Sequence, residues 1–218
     1  MSNSDTFINE VTEEVRRERF YAFLRRYGWI IVLGVLAVVG YAAWTEWQRA
    51  QDRAAARAFG DAVLAAMLHE TPAARAEALG EIPASGRQDG ILNLIEAGER
   101  VAADDREAAL AALQVVADDG SLPASYRQLA MFKRVVLGGA DLPADEREAT
   151  LQSLAQPGQP FRPLALEQRA LLRVEAGDTD GAVAILRELM EDPGLTANLR
   201  RRVTQLMVVL GASPEAAG

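Results

Sequence analysis

Residues 165–193 read ALEQRALLRVEAGDTDGAVAILRELMEDP, and this stretch indicates two short helices joined by a tight turn. Gly177 and Asp178 interrupt the helical pattern, and both residue types favour turns. After the turn, apolar residues recur at i, i+3, i+4, i+7 and i+8, the spacing of one helix face. Those residues are Ala182, Ile185, Leu186, Leu189 and Met190. Pro193 ends the second helix, because proline cannot continue a helix comfortably. The stretch therefore predicts a helical hairpin over residues 164–191.

Two earlier segments repeat this pattern less regularly. The first, residues 89–119, has its turn at Asp104-Asp105. The predicted apolar face of its second helix comprises Ala108, Ala111, Ala112, Val115 and Val116. The middle segment predicts helices over 126–137 and 144–155. Corresponding alanines of the three hairpins, at positions 108, 149 and 182, are 41 and 33 residues apart. The shorter spacing is typical of a helix-turn-helix repeat of about 34 residues. We expect three stacked hairpins, with a last helix over 196–210 as the cap.

The N-terminal part of the chain contains a long uncharged run, GWIIVLGVLAVVGYAAWT, at residues 28–45. At about 1.5 Å per helical residue it covers roughly 27 Å, close to a bilayer core of about 30 Å. Aromatic residues at both ends predict anchors at the two membrane interfaces. These are Tyr27, Trp29, Trp44 and Trp47. We expect a transmembrane helix over 27–47, in preference to a buried core helix. The bulky residues at 43–47 favour an uncleaved signal anchor over a cleaved signal peptide.

Arginine predicts the orientation of this helix. Five arginines precede it, at positions 16, 17, 19, 25 and 26, and three follow it, at 49, 53 and 57. The positive-inside rule therefore places the N-terminus in the cytoplasm and the C-terminal domain outside, with the inverted topology as the alternative. An apolar face in the tail, at positions 20, 23, 24 and 27, predicts a helix that either lies on the membrane surface or docks on a membrane partner.

Composition argues against several classes of function. The chain has a net charge of −8, and residues after 45 carry all of the excess acid, so nucleic-acid binding is disfavoured. It has no cysteine, and His69 is its only histidine, which disfavours thiol, metal and most acid–base chemistry. We expect no enzyme activity and no cofactor.

The predicted organisation has five parts: a cytoplasmic tail (1–26), the span (27–47), an exit helix and linker (48–86), the repeat domain (87–211) and a flexible tail (212–218).

The last hairpin resembles a tetratricopeptide repeat. The resemblance rests on a small residue in the first helix, glycine and aspartate at the turn, a small residue early in the second helix and a closing proline. These are Ala170, Gly177, Asp178, Ala182 and Pro193. Arg169 and Arg173 depart from the motif, which usually has apolar residues there. The whole layout of tail, span, alanine-rich exit helix and degenerate repeats resembles the YfgM-type family of bacterial inner-membrane proteins. That resemblance implies an ancillary subunit of the SecYEG translocon, with partners among translocon subunits, envelope chaperones and exported proteins.

A stack of hairpins leaves a concave surface lined by the first helix of each. Helix phase places five side chains there as candidates for partner binding, although core packing or simple solvation would also explain them. They are Tyr126, Gln128, Phe132, Arg169 and Arg173. The leading functional hypothesis is a membrane-tethered, non-enzymatic interaction module. The alternative is a scaffold of the cell envelope or division machinery that self-associates into a homo-oligomer.

Overall fold

A computed structural model describes the backbone of residues 4–213, and side chains from residue 25 onward other than residue 31. Within these residues every regular element is helical. The α-helices are α1 (Ser4–Met67), α2 (Pro72–Gly80), α3 (Arg87–Ala102), α4 (Arg106–Asp118), α5 (Ala124–Gly138), α6 (Ala144–Leu154), α7 (Arg162–Glu175), α8 (Thr179–Met190) and α9 (Ala197–Val209). A 3₁₀ turn at Gly139–Asp141 follows α5. The chain divides into two compact units, Met1–Asp61 and Ala62–Gly218.

Among the described residues, the first unit consists of α1 as far as Asp61, and the last six residues of the helix belong to the second unit. From Arg25 onward, this helix is long and apolar enough to cross a membrane, and the side chains of its most apolar window are not buried within the protein. The predicted apolar face at positions 20–27 lies outside the described side chains, except for Tyr27.

The second unit is a stack of helical hairpins in which each helix packs on the next along the chain. The hairpins are α3–α4, α5–α6 and α7–α8, and α9 follows them. This confirms the predicted fold class, an all-α array of three hairpins and a closing helix. One apolar cluster joins α3, α4 and α5. A second extends from α5 to α9, and it includes Leu199, Val203 and Met207 of the closing helix.

The first and third hairpins turn in the same way. In each, the residue after the helix C-cap has a left-handed backbone: Asp104 at φ 61° and Gly177 at φ 75°. The next amide, of Asp105 or Asp178, donates to a carbonyl five residues earlier, at 2.9 and 2.8 Å. This is the Schellman arrangement that satisfies carbonyls at a helix end. The same aspartate then caps the following helix, with its carboxylate accepting from the backbone amide three residues on.

Two features differ from the prediction. Residues 72–80, expected in a linker, form α2, which Thr71 caps and which packs on α3 through the buried Ala76 and Leu79. The predicted apolar face of α4 was partly wrong: Ala112 and Val116 are buried as predicted, but the face as a whole is shifted by one position. Val115 is 54% exposed and Ala111 is also exposed. The face that packs comprises Ala109, Ala112, Leu113 and Val116. Both faces have helical spacing, and the larger Leu113 decides between them because it buries more apolar surface than alanine.

The division into five domains stays a prediction, and residues 214–218 of the predicted tail lie outside the described residues.

Candidate functional site

An apolar groove lies between α3 and α5 in the second unit. Its volume is about 420 Å³, within the roughly 300–1,000 Å³ typical of ligand sites. Most of its lining is apolar. It comes from α3 and α5, which are the first helices of two neighbouring hairpins, and from α4 between them: Ala97, Gly98, Val101, Leu113, Phe132, Val136 and Leu137. Val101 and Val136 are 47% and 49% exposed. Two β-branched side chains therefore face water along one groove.

Alternating helix directions set the shape of the groove. Consecutive helices of a hairpin stack run antiparallel, so α3 and α5 run in the same direction on either side of α4. Arg106 at the start of α4 donates to the carbonyl of Gly138 at the end of α5, at 2.6 Å, and pairs with Asp141 at 3.2 Å. These bonds fix one end of the groove. Lys133 lies five residues before Gly138, about 7.5 Å along α5 at 1.5 Å per residue.

Phe132 is the only one of the five predicted partner-binding residues that lines this groove. Its ring stacks on Phe161, with centroids 6.1 Å apart and planes 16° from parallel. One turn earlier, the Gln128 amide donates to Gln159 at 2.6 Å. Together these contacts hold α5 against the segment that precedes α7. Tyr126 is partly buried against the α3–α5 cluster.

Arg169 and Arg173 lie elsewhere, where α7 meets α6. Arg169 donates twice to one carboxylate oxygen of Glu148, at 3.1 and 2.7 Å, and is 19% exposed at its side chain. Arg173 lies 3.8 Å from the same oxygen and 3.7 Å from Asp178. Nearby, the buried Arg147 pairs with Glu175 at 2.9 Å. Both predicted arginines are thus engaged within the chain. That they also bind a partner stays a prediction.

The residues of the tetratricopeptide-like motif have structural positions. Ala170 and Ala182 are fully buried where α7 and α8 pack together. Gly177 supplies the left-handed turn and Asp178 the helix cap. Pro193 follows α8 and lines a proline-rich cleft with Pro157, Pro160 and Pro163. Arg162 also lines that cleft, and its guanidinium pairs with Glu188 at 2.6 Å and Asp192 at 2.8 Å.

The four predicted interface aromatics are all exposed on α1, between 41% and 62%. Trp44 and Trp47 contact each other, with ring centroids 5.5 Å apart. Trp29 donates its indole N–H to the carbonyl of Arg26 at 3.1 Å, and the Arg26 guanidinium lies 6.0 Å from the ring centre of Tyr27. An amphipathic ring beside an arginine suits a membrane–water interface.

Sequence reasoning missed most of the groove. Four residues of its lining, Gly98, Val101, Lys133 and Val136, were not singled out as candidates. One signal was present: Lys133 is the only lysine of a chain whose other 22 basic residues are arginine. The described residues contain no group of three or more His, Cys, Asp or Glu side chains that could hold a metal ion.

Comparison with known proteins gave one family. The model of the tetratricopeptide repeat-like domain matches residues 21–206. That match covers well over half of the chain. No curated protein and no solved structure matches the chain.

Proposed function

The chain belongs to the tetratricopeptide repeat-like family, and from this premise we propose that it is a non-enzymatic interaction module tethered to a membrane by α1. Folds of this kind bury each repeat against its neighbours and use the surface that remains to bind other proteins. The groove between α3 and α5 is the observation that carries the proposal. It exposes apolar side chains to water, and exposed apolar patches of this kind mark sites of interaction with other proteins.

We propose a more specific role from the resemblance to the YfgM-type family. In this role α1 spans the bacterial inner membrane with the N-terminus in the cytoplasm. The hairpin domain then lies in the periplasm, where it assists exported proteins as an ancillary subunit of the SecYEG translocon. The uncharged run at 28–45 and the five arginines before it support the anchor and its direction. The acidic domain fits a protein partner better than a nucleic acid.

Co-purification tests this role. The full-length chain, extracted in a mild detergent, should recover translocon subunits or envelope chaperones at a defined stoichiometry. A variant with a charge in the groove, Val136→Asp, should recover less, whereas Val115→Asp on the exposed side of α4 should recover as much as the wild type. Wild-type protein that recovers neither class of partner would contradict the role.

A self-associating scaffold is the second candidate. The exposed Val208 and Val209 at the end of α9 favour it, since a terminal helix with apolar residues can pair with a second copy. Analytical ultracentrifugation separates the two candidates. A concentration-independent monomer favours binding to other proteins, and a tight homo-oligomer that Val209→Asp dissociates favours the scaffold.

A further inference from the structure

We propose that the hairpin domain associates head to tail with a second copy of this chain, so that the outer face of α9 in one copy contacts the end of α1 and α2 in the next. The inference rests on the second candidate function, self-association, and names the two surfaces and the way in which they meet. Two observations carry it: apolar side chains are exposed at both ends of the stack, and the charges beside them are opposite.

Both ends of the stack expose apolar side chains. The helices of the second unit pack in chain order, so α2 and the residues before it lie at one end and α9 lies at the other. Leu64 and Leu68, one helical turn apart, are exposed, Leu68 by 84%. Val208 and Val209 of α9 are exposed as well, Val209 by 80%. The terminal helices of a repeat stack need a polar outer face for solubility. Apolar residues at both ends therefore mark surfaces that another molecule covers.

The charge at the α9 end is positive. This helix has three arginines and no acidic residue, although the domain as a whole has an excess of acid. Arg202 pairs with Glu167, whereas the side chains of Arg200 and Arg201 are exposed and form no ion pair among the described residues. Arg201 and Val208 are seven residues apart, which places them on the same face of the helix. Two free positive charges thus lie beside the apolar residues of α9.

The charge at the other end is negative. Glu70 follows Leu68 by two residues, and Arg75 of α2 donates to the Glu70 carbonyl at 3.3 Å, which holds this segment beside the start of α2. Glu77 of α2 and Glu81 directly after it are one helical turn apart. All three glutamates are exposed, and within the part of the chain that the structure describes none of them forms an ion pair. This end therefore offers free carboxylates beside its exposed leucines.

These charges decide how two copies meet. A symmetric contact between two α9 helices brings two copies of Arg200 and of Arg201 into one interface, with no acidic residue on either helix to balance them. A head-to-tail contact instead sets the arginines of one copy against the glutamates of the next, and apolar residues against apolar residues. Such a contact leaves one end free on each outer copy, so that further copies can add.

Cysteine cross-linking tests this arrangement, because the chain has no cysteine of its own. Leu68→Cys and Val208→Cys are placed on two full-length copies with different tags, and the copies are mixed in a mild detergent. A short bis-maleimide joins them, since each thiol adds across one of its two double bonds. We expect a product with both tags from the mixture and none from either variant alone. Val115→Cys, on the exposed side of α4, is the control and should give no product with either variant.

Charge reversal tests the pairing of the two ends. Arg200→Glu with Arg201→Glu, in the copy that has its cysteine on α9, should lower the yield of the product about tenfold, because attractions between exposed charges become repulsions. Glu77→Arg with Glu81→Arg, in the other copy, should lower it to a similar extent. The two reversals together should restore the product, which a misfolded variant could not do.

Three results would overturn the proposal. A product from Val208→Cys alone would mean a symmetric contact between α9 helices, and no product from any mixture would mean that these ends do not meet. Failure of the paired reversal to restore the product would remove the charge pairing. These failures differ from failure of the leading function. If translocon subunits or chaperones co-purify with the wild type but not with Arg200→Glu and Arg201→Glu, the interaction module stands and the arginines bind a different protein.

Discussion

Asp104 and Gly177 hold the same left-handed position in two equivalent turns, but only glycine adopts it without steric cost. The fold tolerates the aspartate because the two helices on either side fix the turn. We expect Asp104→Gly to stabilise the protein by about 0.5–1 kcal/mol and Gly177→Ala to destabilise it by about 1 kcal/mol or more. Thermal unfolding of the full-length protein in detergent, followed by circular dichroism, measures both. Destabilisation by Asp104→Gly would mean that its carboxylate contributes more than the backbone costs.

A second residue-scale prediction concerns Asp119 after α4. A hydrogen bond from the Ser121 side chain is the largest influence that lowers the pKa of Asp119, and one from the Ser121 amide, at 2.8 Å, adds to it. Since the folded pKa lies below the unfolded one, Asp119 stabilises the fold above the unfolded pKa, and this contribution is lost as pH falls through the folded pKa. We expect Ser121→Ala to raise the pKa of Asp119 toward its ordinary value. A carbon-13 NMR titration of the carboxyl group measures the change.

Ser125→Ala on α5 is the control for that titration and should leave the pKa of Asp119 where it is. If Ser121→Ala also leaves it unchanged, the Ser121 backbone amide and the charge of Arg127 lower the pKa without the hydroxyl. Asp119 is partly exposed to solvent, so we expect a visible titration shift and little change in the midpoint of unfolding at neutral pH.

At the scale of elements, one ion pair ties α9 to α7. Glu167 is buried on α7, and both of its oxygens accept hydrogen bonds from Arg202, at 2.8 and 2.6 Å. The same carboxylate raises the pKa of Arg202. Loss of the arginine leaves a buried carboxylate without its main donor. We expect Arg202→Ala to cost about 1–2 kcal/mol, less than a fully buried pair because Arg202 is 54% exposed at its side chain.

Hydrogen exchange tests whether that loss is local. Amides of α9 should exchange faster in Arg202→Ala, while those of α3 and α4 keep their protection. Arg201→Ala is the matched control, because the one hydrogen bond of the Arg201 side chain among the described residues goes to Asn198 of its own helix. If Arg201→Ala frees α9 to the same extent, apolar packing rather than the ion pair holds that helix.

Element boundaries followed from the sequence where local signals were strong. The Asp-Asp and Gly-Asp turns, Pro193 and the 3.6-residue apolar period placed α3 to α9 close to their observed positions, since each signal acts within a few residues. Alanine-rich α4 was harder, because two faces of similar composition compete. The short α2 buries only Ala76 and Leu79, and two residues are too few to show a helical period of apolar positions in the sequence.

The candidate site depends on contacts between distant residues, and the sequence could not supply these. Arg169 pairs with Glu148, 21 residues away, and Phe132 stacks on Phe161, 29 residues away. Helix phase placed Phe132 and Arg169 on the predicted concave surface, but it gave no means of choosing their partners. The groove likewise exists only because α3 and α5 flank α4, which is a property of the stack rather than of either helix.

At the scale of the whole molecule, the proposed direction of α1 across a membrane decides which partners the hairpin domain can meet. The distribution of arginine predicts this direction, because five arginines precede the uncharged run and three follow it. A reporter that works only outside the cytoplasm, fused after Gly218, should be active, and one that works only inside should be inactive. The double substitution Arg25→Gln with Arg26→Gln removes the excess of arginine before the run, so part of the protein should insert with the inverted topology. Arg49→Gln with Arg53→Gln enlarges that excess and should leave the outside reporter fully active. An active inside reporter on the wild type would place the groove in the cytoplasm, where exported proteins in transit through the envelope could not reach it.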